Sequence, residues 1–463
     1  MRLASGAAGV GLGVVFALAG CGEIRKIEAD AGSSPPPAID AAVGECTDLL
    51  VDGVSGCDFG AGDFVGTRFA TGSGVTLSDG RDSGEFVSRV FDSGESGTVW
   101  SSLTWATDGP HGVPLPDDGA GEDGYLRDGA DMADNVLLLH LEDGAISPGR
   151  QLVDSSGRGN RPVLTSTASD ELVGADGRFG RALIDTLDSH FYIDIDPTGS
   201  PAVGDDFGFG EGGFTWALWL ETGQDCSDNR VYMGAEGYGV DGYIHMWLGC
   251  NSGDAPWCAP GSPGGRVGGF ITSAQEIEDY GVGVCGLSQI NDDAWHHIAL
   301  VKAGHAPATV SLYVDGAVEF SEEFSFGQPF QFAEPVRFII GSFGSYADDL
   351  LLYQAEGRYD ELAIWRRALD AEEVAAMYRR GGLRVGFQVR ACSEPGCADD
   401  PPFVGPDGSE TRLYRAPSGG TGPERAVALD GVSGRYLQYR AVLESDIPDE
   451  SPVLRRVALS LTP

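Results

Sequence analysis

The sequence predicts an all-β protein, in which a large β-sandwich is inserted in a second, smaller β-sandwich. Three observations carry this. Glycine and proline are abundant, 70 and 25 in 463 residues, without collagen periodicity; that composition suits many turns between short strands. Hydrophobic residues reach 42%, enough to pack a core. Short runs alternate apolar and polar residues at both ends of the chain and, about a dozen times, in its middle. The formal charge of −40 repels phosphates and anionic headgroups, so no nucleic acid partner is expected.

The N-terminus carries an export signal. Arg2 precedes AAGVGLGVVFALAG, which is too short to anchor in a bilayer but suits a signal peptide over 1–20. Leu18-Ala19-Gly20-Cys21 resembles the bacterial lipobox, which implies a diacylated Cys21 as the mature N-terminus. Gly22 stands where an inner-membrane retention signal has Asp. The expectation is an exported protein, lipid-anchored at the outer membrane or cell surface of a Gram-negative bacterium. It touches the membrane only through that anchor. Residues 21–61, with GSSPPPAIDAA, read as a tether.

Of the nine cysteines, eight remain after Cys21, an even number that reads as disulfides in an exported chain. Close spacing favours Cys46–Cys57 and Cys392–Cys397. The middle four allow three pairings; a hairpin turning near Gly237–Gly239 favours Cys226–Cys250, which leaves Cys258–Cys285. A zinc site is disfavoured, because no Cys-x-x-Cys pair occurs.

EFVSRVFDSG and WSSLTWATD read as strands, and so do LRVGFQVRACSEPGC, GRYLQYRAVLES and SPVLRRVALSL at the far end. Neither group fills a core alone. Together they form one discontinuous sandwich, 62–128 plus 384–463, with the larger domain inserted over 134–383. The Gly/Asp-rich stretch PLPDDGAGEDGYLRDGADM reads as an interruption between the two. Two separate small domains are the alternative.

Within 134–383 the strands follow in series: NVLLLHLE, ALIDTL, HFYIDID, FTWALWLE, NRVYMGAE, GYIHMWLGC, RVGGFITSA, AWHHIALV, ATVSLYVDGAVEF, VRFIIGSF and YDELAIWRRAL. In AWHHIALV the adjacent His296 and His297 must point to opposite faces, so they cannot share a metal and read as scaffold. In the next hairpin Val310, Leu312 and Val314 face the core, and Asp315-Gly316 supplies the tight turn. RALDAEEVAAMYRRG is the one clear helix, with Asp370 as N-cap, Glu373 completing a capping box and Gly381 at its end. It is expected to cover the sandwich edge.

DSSGRGN, GRFGRALIDTLDSHFYIDI, FTWALWLE, WHHIALVKAG, FIIGSF and GRYDELAIWRRAL fall in one order and resemble the laminin G-like branch of the concanavalin A-like lectin/glucanase superfamily. The resemblance implies a two-sheet jelly roll. It also implies one calcium ion held by end loops, at positions matching Asp154 and Asn160 in DSSGRGN and Asp360 and Glu361 in YDELAI. Local Asx turns would explain the same residues.

No catalytic residues are expected. Glycosidases of this superfamily carry Glu-x-Asp-x-Glu or a close variant on one strand, with acid and nucleophile on one face. QEIEDYG and YIDID both fall short of it. For sugar stacking the candidates are Tyr238, Tyr243, Trp247, Trp257 and Tyr280, on or near the Cys-rich loops. The expected function is a non-catalytic surface or adhesion protein that recognises glycan or glycoprotein. The alternative is a structural scaffold of the envelope or extracellular matrix that binds other proteins.

Overall fold

In the strand Trp100–Thr107, the large apolar residues Trp100, Leu103 and Trp105 are buried and the residues between them less so. Such a strand needs partners on both sides, and it finds them in the last third of the chain. A computed structural model describes residues 51–53, 59–142, 149–166, 175–185, 191–195, 207–238, 243–251, 258, 264–274, 281–331, 338–345 and 350–462. All of them lie in one compact unit, Gly44–Pro463.

The smaller sandwich mixes both ends of the sequence in each sheet. One sheet runs Glu424–Ala428, Trp100–Thr107, Leu454–Leu461, Gly74–Leu77, Thr67–Ala70, and Val51–Gly53 also pairs with Leu454–Leu461. The other runs Asp63–Val65, Ser83–Val87, Tyr436–Ser445, Leu383–Cys392. Its core packs Phe59, Phe86, Trp105, Phe387 and Tyr439, with Trp105 and Phe387 ring centroids 4.9 Å apart. Val51–Gly53 is fixed by the buried Asp52, which accepts hydrogen bonds from Tyr439 Oη (2.8 Å) and Arg89 Nε (3.1 Å).

The larger sandwich is a two-sheet jelly roll. Its eight-stranded sheet has the order Ala175–Asp176, Arg181–Asp185, Gly357–Trp365, Phe214–Glu221, Trp295–Gly304, Ala308–Val314, Ala317–Phe324, with Asn135–Leu139 also on Gly357–Trp365. Facing it is a five-stranded sheet: Gly281–Gln289, Arg266–Ala274, Tyr243–Asn251, Arg230–Tyr238, Phe338–Ile340. Alternate residues from both sheets fill the core, among them Trp216, Leu218, Leu300, Met246 and Ile271.

His296 and His297 do diverge. His296 Nδ1 lies 2.8 Å from Asp315 and Nε2 lies 3.1 Å from Asp292. His297 is buried on the other face, its ring 5.4 Å from that of Trp219. Asp315 and Gly316 have φ of 50° and 73°, as the tight turn requires.

The helix Ala371–Gly382 begins with the capping box of Asp370 and Glu373. It differs from expectation in two ways. It runs one residue past Gly381 and passes directly into Leu383–Cys392. It covers the outer face of the eight-stranded sheet, not an edge. Val374 and Met377 pack there over Ala217, Ala299 and Ala363, small strand residues that let the helix approach closely. The Gly/Asp-rich stretch is no passive interruption either: its Leu115 and Met132 are buried against the same face.

Candidate functional site

Asp154 gathers five hydrogen bonds. Its carboxylate accepts from the backbone N–H groups of Leu138 (3.1 Å), Ser156 (3.0 Å) and Asn160 (3.1 Å). It also accepts from Ser156 Oγ (2.9 Å) and Asn160 Nδ2 (3.0 Å). Asn160 Nδ2 donates in addition to Val136 O at 2.6 Å. The two residues therefore meet, but they close a loop against the strand Asn135–Leu139. Asp360 is fully buried and accepts from Phe179 N–H (3.0 Å) and Glu361 N–H (2.8 Å). Glu361 turns the other way. Its carboxylate accepts from Leu115 N–H at 2.9 Å and pairs with His140 Nδ1.

These four residues do not fit a calcium ion. Calcium needs six to eight oxygens converging at about 2.3–2.6 Å. Here the carboxylate oxygens are already taken by donors of the chain. Among the described residues, no three His, Cys, Asp or Glu side chains form a metal-holding group.

What Glu361 does instead is to help hold a charged centre. The His140 ring lies between Glu361 and Asp117, with Nε2 at 2.8 Å from Asp117. Burial opposes charge on the ring, but the Glu361 charge and the hydrogen bonds to Asp117 and Glu361 outweigh it and raise the pKa to about 10. Nearby, burial raises Glu142, while the hydrogen bond from His140 lowers Asp117. Burial and the charge of Glu361 hold Asp360 well above the usual carboxylate range. The result is an imidazolium clamped by two carboxylates where the jelly roll meets the 114–132 stretch. Sequence reasoning missed it; the only local sign is HLE after an apolar run.

The five-stranded sheet presents a different surface. Ile244, Met246 and Leu248 of its strand Tyr243–Asn251 face the core, so the alternate residues His245, Trp247 and Gly249 face outward. Trp247, within the expected strand GYIHMWLGC, was placed on or near the Cys-rich loops. It is a strand residue, 6% exposed, packed with Val231 and Phe270 because its cross-strand partner is Phe270 itself. Glycines line this face. Phe270 pairs with Gly283, and Gly249 pairs with Gly268. A Cβ on Gly281 would sit 2.3 Å from the Phe270 ring. His245 lies edge-on to Phe270 at 5.9 Å, and burial lowers its pKa to about 4, so its ring is neutral at pH 7.

Disulfides join Cys226 to Cys250, Cys258 to Cys285 and Cys392 to Cys397. Val282 and Val284 face the core, so Cys285 faces outward and holds Cys258 on this face. That fixes one rim of the sheet. Tyr238 and Tyr243 are Cα partners at the turn end of the hairpin. Trp257, Tyr280, Cys21, Cys46 and Cys57 lie outside the described residues.

No curated protein matches the chain. Among solved structures, domain 4 of AbnA, a GH43 extracellular arabinanase from Geobacillus stearothermophilus in complex with arabinotriose, is similar at 14% identity. The match covers 53% of this chain and 98% of that one, with a TM-score of 0.35. A Ruminococcus gnavus IT-sialidase CBM40 bound to α2,3 sialyllactose matches at 12% identity, 42% and 96% coverage, and a TM-score of 0.32. The binding domain of botulinum neurotoxin DC in complex with SialylT matches at 10% identity and a TM-score of 0.36; 54% of this chain covers 52% of that one, about half its length. Residues 196–375 of the large sandwich match the family model described as the concanavalin A-like lectin/glucanases superfamily.

Proposed function

We propose that the protein is a non-catalytic surface lipoprotein, anchored through Cys21, whose jelly roll binds glycan or the glycan of a glycoprotein. The observation that carries this reading is the superfamily match over 196–375, a stretch that holds the outward face of His245, Trp247 and Phe270. The half-buried Phe270 ring on its glycine floor, backed by the buried Trp247, offers apolar surface to the C–H face of a sugar. The helix occupies the outer face of the other sheet, so binding is assigned to the five-stranded one.

The test is a glycan array and titration with the Cys21→Ser chain, with and without a chelator. Binding to at least one glycan class is expected, unchanged by chelation and weakened about tenfold or more in Phe270→Ala. No binding to any polysaccharide, with capture of envelope proteins instead, overturns it in favour of a protein-binding scaffold. Export and acylation are tested separately by labelling Cys21 with radioactive palmitate in a Gram-negative host.

A further inference from the structure

The chain has 70 acidic residues against 30 basic ones, yet arginines collect on one seam. The seam lies between the Ala175–Asp176 and Arg181–Asp185 hairpin of the jelly roll and the 404–415 segment of the small sandwich. An open groove of about 760 Å³ runs there, lined by Asp176, Arg181, Thr411, Arg412, Arg415 and Glu444 among others. Its charges do not cancel. Glu444 is shared by Arg415 (2.9 Å) and Arg384 (3.3 Å), so one carboxylate serves two guanidinium groups. Arg412 reaches Asp176 only at 3.5 Å and Asp407 only at 3.6 Å, and its side chain is 59% exposed. Arg415 Nη1 is buried without a hydrogen-bond partner.

Two further features flank the groove. Behind the groove, Arg178 and Arg384 both bind Asp446. Burial and then the charge of Arg384 lower the pKa of Arg178 to about 10. At the other end, Arg358 donates to Asp176 O at 3.0 Å and lies over the Trp295 ring at 5.7 Å. The groove thus offers guanidinium forks, a hydroxyl on Thr411 and an aromatic ring next to its end.

We infer that this groove between the two sandwiches binds the carboxylate of an acidic sugar, in a polyuronate chain, through Arg412 and Arg415. A planar carboxylate accepts two parallel N–H bonds from a guanidinium, and Arg412, exposed and held only at 3.5 and 3.6 Å by Asp176 and Asp407, has its fork within the groove's reach. The groove is large enough for several sugar units. The idea rests on the glycan-binding reading but names a different surface, so the two can fail separately.

The experiment is titration calorimetry of the full Cys21→Ser chain with polygalacturonate, a sulfated polysaccharide and the neutral glycan selected on the array. Polygalacturonate is expected to bind in preference to the sulfated polymer. Arg412→Glu is expected to weaken it about tenfold or more and leave the neutral glycan unchanged. Arg412 is exposed, so its replacement leaves the fold intact. Arg415→Lys keeps the charge but loses the fork and is expected to weaken polygalacturonate severalfold. Neutral binding without polygalacturonate binding, preference for sulfate, or insensitivity to Arg412→Glu each overturns the inference and leaves the glycan reading standing. Absence of all glycan binding overturns both.

Discussion

At the scale of single residues, two histidines are expected to make stability depend on pH in opposite senses. Burial lowers the pKa of His297 to about 4. Between that value and an unfolded value of about 6.5 the unfolded chain binds the extra proton. Its contribution is therefore complete above about pH 6.5 and lost as pH falls towards 4, up to ~3 kcal/mol in all. His297→Phe keeps a ring beside Trp219 and is expected to flatten that acid loss; urea midpoints at pH 7 and pH 4.5 measure it. His140 behaves inversely. Its raised pKa makes its contribution complete below about pH 6.5 and lost as pH climbs towards 10, on the order of a few kcal/mol. His140→Gln is expected to be weaker at pH 6 but less sensitive between pH 7 and 10. An unchanged alkaline slope would remove the Glu361–His140–Asp117 clamp from the account. The separation of His296 from His297 was legible, because strand alternation is local. The His140 clamp was not, since Glu361 lies 221 residues away. The hydrogen bonds to the carboxylates of Asp154 and Asp360 were hidden for the same reason. The donors that saturate their oxygens include Leu138 and Phe179, which the fold alone brings near.

At the scale of elements, turns and caps were legible and the faces they serve were less so. The DAEE sequence marks the helix start, and the structure has both reciprocal hydrogen bonds, Glu373 N–H to Asp370 at 2.9 Å and Asp370 N–H to Glu373 at 2.8 Å. Which surface the helix covers depends on alanines in three different strands, a coincidence no local pattern reveals. Asp370→Ala removes one arm of the box and is expected to destabilise by about 1 kcal/mol. Because the helix seals the outer face of the sheet, the loss should be seen first there. Trp219, whose ring stacks on Tyr378 of the helix at 5.8 Å, is the natural reporter. Its fluorescence should change at lower urea in the variant than in the parent, and coincident curves would show that the cap is dispensable. Trp247 makes a related point. Its strand was legible in GYIHMWLGC, but its place on the outer face with His245 and Gly249 follows only once Ile244, Met246 and Leu248 are seen to fill the core.

At the scale of the molecule, composition misled about the Gly/Asp-rich stretch, because burial there comes from tertiary partners. Glu122 lies in it with its side chain fully buried, between Arg380 of the helix and Arg425 of the small sandwich. Arg425 Nη2 is 3.3 Å from Glu122, and Arg380 also donates to Val113 O (3.1 Å) and Pro114 O (2.9 Å). One carboxylate therefore joins a segment of each sandwich to the stretch that connects them. Glu122→Gln leaves two guanidinium groups, 2% and 4% exposed, without their counter-charge. Removing one member of a buried ion network costs about 3–5 kcal/mol. The position of the loss matters as much as its size. Each sandwich keeps its own apolar core, so the damage falls on the joint rather than on either half. Calorimetry of Glu122→Gln should show a lower melting temperature and two resolved transitions where the parent has one. The exposed neighbour in Asp123→Asn should leave the parent profile unchanged. A single transition at the parent temperature would mean that the other ion pairs across the joint, Arg178 with Asp446 and Arg412 with Asp176, hold the two sandwiches together without Glu122.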